Sequence, residues 1–94
     1  MEVVRRFRVW GRVQGVGFRA FVWRSAAKVG VSGWARNRHD GSVEVLAKGE
    51  PERLDSLLKL LGEGPRFARV DRVERGEEDS ATDVGTGFSI RPDA

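Results

Sequence analysis

Ninety-four residues make one domain with a modest core. Hydrophobic residues make up 39% and charged residues 33%, which is too apolar for a disordered chain, and no apolar run approaches the length of a membrane span. Cysteine is absent and histidine occurs once, which excludes disulfides, a thiolate nucleophile and a multi-histidine zinc cluster, while a net charge of +3 is too small to argue by itself for nucleic acid.

Met1-Glu2-Val3 lacks the basic start and apolar stretch of a signal peptide, so a cytoplasmic location is expected. Arginine outnumbers lysine fourteen to three. A GC-rich genome, heat adaptation and an anionic partner each account for that bias.

Val3 to Trp10 reads as a strand, β-rich with imperfect alternation. Phe18, Val22, Ser25, Ala26 and Val29 recur at helical steps, and Gly30 is a natural C-cap. Val31 to Arg38 is extended, Asp40-Gly41 is a strong turn signal, and Val43, Val45 and Ala47 alternate after it, which together predict a hairpin. Glu50-Pro51 opens a second helix with proline at the tolerated first position. Leu54, Leu57, Leu58 and Leu61 form its core stripe, and Gly62 with Gly64-Pro65 ends it. Phe67 to Glu74 reads as a fourth strand. Val70 and Val73 are out of phase in it, which predicts a bulge near Asp71-Arg72. Gly76 to Gly87 reads as a loop, and Phe88 and Ile90 as a short last strand.

This β-α-β-β-α-β order predicts an α+β, ferredoxin-like split βαβ sandwich over residues 1–94, an antiparallel sheet with two helices on one face. Trp10, Trp23 and Trp34 are expected to be packing residues. Arg5, Arg6, Arg8 and Arg12 are read as charges that solvate a strand, and Glu77, Glu78 and Asp79 as a solvated acidic loop.

The segment between the first strand and the first helix carries the chemistry. Gly11 to Arg19 reads GRVQGVGFR. A glycine-rich turn leading into a helix exposes several backbone N–H groups, which together with the helix N-terminus form an anion site. A tight turn would explain one glycine; three, followed by an arginine whose fork fits phosphate oxygens, suit a phosphate cradle better. The donors would be the main chain of Gln14, Gly15, Val16, Gly17 and Phe18, with Arg19 beside them. The P-loop pattern is absent, for no lysine stands here. GVGFRA meets the relaxed dinucleotide fingerprint with Asp40 about twenty residues on, but Asp40 lies in a hairpin turn and the chain is too short for two mononucleotide halves.

A second piece is GWARNRHDGSVE, Gly33 to Glu44. Asn37 just before the turn is either a turn former or an amide that orients a water while touching an anion. His39 reads as an exposed turn residue rather than a catalytic base.

Both stretches resemble the paired signatures of the acylphosphatases, small enzymes that hydrolyse carboxyl-phosphate anhydrides, and FSIRP at the end resembles that family's last strand. The resemblance covers essentially the whole chain. It implies that Arg19 binds the phosphate, that Asn37 positions the attacking water, and that the amides of residues 14–18 hold the phosphoryl oxygens. It further implies a free, monomeric enzyme acting on a small acyl phosphate without metal or cofactor. Two alternatives belong to other classes. One is a nucleic-acid-binding module, disfavoured because the aromatics of GVGFRAFVW fall on a loop and helix rather than a flat strand face. The other is a non-catalytic anion-binding or regulatory domain, against which intact Arg19 and Asn37 argue.

Overall fold

A computed structural model describes all 94 residues, Met1–Ala94. The elements are β1 (Val3–Arg12), α1 (Phe18–Val29), β2 (Ser32–Asn37), β3 (Val43–Gly49), α2 (Pro51–Glu63), β4 (Arg69–Glu78) and β5 (Phe88–Ile90). The sheet order is β4-β1-β3-β2-β5.

Four strands are antiparallel, as the element order predicts. The last differs: β5 pairs in parallel with β2, Gly33 opposite Phe88 and Ala35 opposite Ile90, so the sheet is mixed. The long connection after β4 carries the chain to the far edge and returns it in the direction of β2. The pairing continues past Ile90. Arg91 donates its N–H to Ala35 O at 2.9 Å, Ala94 N–H donates to Asn37 O at 3.0 Å, and His39 N–H donates to Ala94 O at 3.0 Å.

One face of the sheet carries the main core. Phe7 and Val9 of β1, Ala35 of β2, and Val43, Val45 and Ala47 of β3 meet Phe18, Val22 and Ala26 of α1 and Leu54, Leu57 and Leu61 of α2. The three leucines are fully buried, each worth about 1.5–3 kcal/mol of transfer free energy. Helix α1 ends where expected: Gly30 takes a left-handed conformation and donates to Ala26 O at 2.9 Å. Pro51 starts α2, and Gly64 caps it after Gly62 has been absorbed into the last turn.

The bulge is present. Trp10 pairs with Arg72 and Gly11 with Val70, which leaves Asp71 as the extra residue. That extra residue lets Val70 and Val73 both pack toward the core despite their spacing. Gly11 sits at φ 131°, and a Cβ there would lie 2.1 Å from Arg69 O. Strand β4 runs from Arg69 to Glu78 rather than from Phe67 to Glu74, because pairing with β1 extends to Val4 opposite Glu78. Phe67 is left exposed in the preceding turn.

The opposite face has a small second cluster, Val4, Trp34 and Leu46, covered by Val84 from the β4–β5 connection. Trp34 is a packing residue as expected. Trp23 is not: it is 49% exposed, because the buried stripe of α1 runs through Phe18, Val22, Ser25 and Ala26.

Candidate active site

The β1–α1 connection is built to leave its N–H groups free. Gly15 and Gly17 adopt left-handed conformations, φ 75° and 77°. Open space surrounds both, so the backbone angle rather than crowding selects glycine there. Alternating the sign of φ along the loop curls successive amides toward a common point. The N–H groups of Gln14, Gly15, Val16, Gly17 and Phe18 donate no hydrogen bond within the chain. The first helical bond of α1 is Phe21 N–H to Gly17 O at 3.0 Å, no side chain caps the helix, and its first turn has no acid. The positive end of the α1 dipole is therefore uncompensated at this loop.

A cavity of about 250 Å³ opens there, lined by Val13, Gly15, Gly17, Phe18, Arg19, Ala20, Asn37 and Ile90. Arg19 and Asn37, eighteen residues apart in sequence, thus share one wall system. Asn37 is the last residue of β2 and points to the helix-bearing side; it is 8% exposed. Its side-chain amide takes part in none of the side-chain hydrogen bonds around the hairpin, while its main-chain carbonyl accepts from Ala94 N–H. A nearly buried amide facing a cavity retains one acceptor and two donors for whatever enters.

Gln14 and Val16 lie on the same loop but do not line the cavity. Val16 packs against the core. The Gln14 side chain donates to Arg38 O at 2.7 Å and to Ser42 O at 2.9 Å. This tie fastens the loop to the hairpin that bears Asn37, a role that reading Gln14 only as a main-chain donor misses. The hairpin itself is fixed by Asp40, whose carboxylate accepts from Ser42 Oγ at 2.6 Å and Ser42 N–H at 2.9 Å. Those two bonds hold the Asp40 carboxyl below the usual range. Asp40 is a turn former, consistent with rejecting it as a ribose ligand.

Val13, Ala20 and Ile90 of the cavity wall, and Asp93 beside Arg19, are not among the site residues expected from the sequence. Ile90 reaches the cavity because β5 runs parallel to β2. Asp93 Oδ1 accepts from Arg19 Nη1 at 3.2 Å, with both side chains substantially exposed. An exposed pair of this kind contributes about 0–1 kcal/mol, so a dianion competes easily for the guanidinium. His39 is exposed and does not line the cavity.

No helix of the chain is long and apolar enough to cross a membrane.

Residues 5–90 match the family model described as Acylphosphatase. An acylphosphatase of Koribacter versatilis is 54% identical over 80 residues, covering 85% of this chain and 71% of that protein. One from Salinibacter ruber is 49% identical over 84 residues, covering 89% and 87%. The crystal structure of acylphosphatase from Bacillus subtilis superimposes with a TM-score of 0.89 at 40% identity, over 97% of this chain and 99% of that one.

Proposed function

This chain belongs to the acylphosphatase family and is a hydrolase of acyl phosphates; we propose that it holds the phosphoryl group in the Gln14–Phe18 loop with Arg19 and orients the attacking water with Asn37. The observation that carries this reading is that Gly15, Gly17 and Phe18, from the run of unengaged N–H groups, line one cavity together with Arg19 and Asn37.

The chemistry fits these groups. Water attacks phosphorus, the bond from phosphorus to the acyl oxygen breaks, and the electron pair leaves with a carboxylate. A carboxylate is a good leaving group and needs no strong general acid. Catalysis then rests on position and on stabilising charge that spreads over the phosphoryl oxygens. The main-chain donors and Arg19 supply the charge term in a partly enclosed site. Asn37 supplies orientation of the water rather than proton removal, since an amide is no base near neutral pH. The proton passes to the phosphate itself or to solvent.

The test is phosphate release from acetyl phosphate and benzoyl phosphate, with EDTA present, by the wild type, Arg19→Ala and Asn37→Ala. Fast turnover in the wild type, lost by a factor of about 10² or more in either variant with fold retained, supports both roles. Turnover that survives both changes would remove the site from this cavity.

A further inference from the structure

Arg19, Ala20 and Trp23 lie along one side of α1, and Phe88 and Ile90 lie on the core-facing side of β5. Trp23 Nε1 donates to Phe88 O at 3.1 Å, which pins the indole across the gap between the helix and the edge strand. Trp23 stands one helical turn, about 6 Å, beyond Arg19. Phe88 stands two strand residues, about 7 Å, before Ile90. Ala20 and Ile90 line the cavity, and the two steps run side by side, which sets the bonded pair Trp23 and Phe88 next beyond them, outside the cavity itself. Trp23 is 49% and Ile90 46% exposed. Of the four exposed large apolar residues of the chain, Ile90 lines the phosphate cavity and Trp23 stands one helical turn beyond Arg19 of its wall.

We propose that Ala20, Ile90 and Trp23 form a shelf that receives the acyl group, and that the shelf favours aromatic and bulky apolar acyl phosphates over short ones. The proposal rests on the phosphate lying in the Gln14–Phe18 loop beside Arg19. A phosphoryl group held there directs its acyl substituent either to solvent or along this wall. An acetyl group ends at its methyl and offers little surface to this wall. A benzoyl ring extends another ring's width toward the indole, where offset aromatic contact would add to the burial of apolar area. Only one side of the ring is covered, so the expected preference is about tenfold rather than the larger factors of an enclosed pocket.

Specificity constants for acetyl phosphate and benzoyl phosphate test this in the wild type, Trp23→Ala and Trp23→Phe, together with inhibition by inorganic phosphate. In Trp23→Ala the benzoyl-to-acetyl ratio should fall about five- to tenfold through KM, because the lost contact is shared by ground and transition states. Inhibition by inorganic phosphate should stay within about twofold. Trp23→Phe, which keeps an aromatic surface but not the bond to Phe88, should recover most of the ratio. An unchanged ratio in a folded Trp23→Ala variant overturns the shelf. So does an equal loss for both substrates and for inorganic phosphate, which would make Trp23 a support of the cradle. Failure of the cradle itself reads differently: Arg19→Ala would then leave both substrates and inorganic phosphate inhibition unaltered.

Discussion

Arginines gather at two places in this molecule, and they are held in opposite ways. On the open face of the sheet, Glu44 is buried beneath four guanidinium groups. Arg36 Nε lies 2.8 Å from it, Arg38 3.3 Å and Arg8 3.9 Å, and Arg6 makes a further close contact. Arg6 is also claimed by Glu78 at 2.6 Å, and Arg8 by Asp40 at 3.1 Å. Trp34 lies under the guanidinium groups of Arg36 and Arg91, and Trp10 under those of Arg8 and Arg72. At the mouth of the cavity, Arg19 has one exposed carboxylate partner and a row of unengaged amides beside it. A basic residue whose counter-ion is buried with it is committed to the fold. One whose partner is exposed remains available to a substrate. The arginine count of a sequence does not distinguish the two, and that is why composition gave no functional signal here.

The largest expected effect breaks the available side. Arg19→Ala should lower kcat/KM by about 10³-fold or more, roughly 4 kcal/mol of transition-state stabilisation. Thermal unfolding should stay close to that of the wild type, since the only ion pair lost is exposed. A large loss of stability with modest loss of activity would place Arg19 with the structural arginines.

Glu44→Gln should do the reverse. Burial pushes the Glu44 carboxyl upward, but hydrogen bonds from Arg36 and Arg6 outweigh it and hold the group below the usual glutamate range. Removing the charge leaves several guanidinium groups without their shared partner. Breaking a buried pair costs about 3–5 kcal/mol, and because these arginines are 24–37% exposed we expect nearer 2 kcal/mol. That corresponds to a fall in Tm of roughly 8–16 °C. Turnover per folded molecule should change by less than about threefold. The pH dependence follows from the direction of the shift. A carboxyl with a lowered folded-state pKa adds stability above the usual glutamate range, and that contribution is lost as pH falls through the folded-state value. Urea unfolding from pH 7 to pH 3 should therefore show a decline in the wild type that is shallower in Glu44→Gln.

The sequence announced one of these regions and not the other, and the reason is geometric. The cradle is contiguous: glycines, free amides and Arg19 fall within nine residues, and a strand-to-helix turn is sufficient to assemble them. Asn37 was legible because the Asp40-Gly41 turn marks the hairpin end on which it stands. The bulge was legible from the phase slip between Val70 and Val73. Glu44 meets its arginines only through strand register, opposite Arg8 on β1 and Arg36 on β2, and register is set by the whole sheet. Ile90 and Asp93 needed knowledge that the last strand returns parallel to β2, which a twelve-residue polar loop does not reveal. Trp23 looked like core by residue type alone, although its phase on the helix lies off the buried stripe.

Asp93→Ala sharpens the contrast at its weakest point. The exposed pair with Arg19 is worth under about 1 kcal/mol, so inorganic phosphate inhibition and KM should move by less than about fivefold. Removing Asp93 relieves a competitor for the guanidinium, so inhibition by inorganic phosphate should tighten. High salt should have the same sign of effect on the pair and should shrink the difference between variant and wild type. A weakening greater than tenfold would mean that Asp93 holds Arg19 in its working orientation, and that the site is less open than its exposure indicates.

The smallest expected effect concerns the chain's one histidine. His39 sits in the exposed hairpin turn, off the cavity, and it is the main-chain N–H, not the imidazole, that bonds to Ala94 O. His39→Ala keeps that backbone bond, so kcat should stay within about twofold of the wild type from pH 5 to pH 8. The comparison matters because a base acting through the imidazole would imprint its own ionisation on the rate, and the substitution would erase it. If the pH profile of kcat instead loses a limb in His39→Ala, water activation passes through a protein base after all, and orientation by Asn37 is only part of how the water is made to attack.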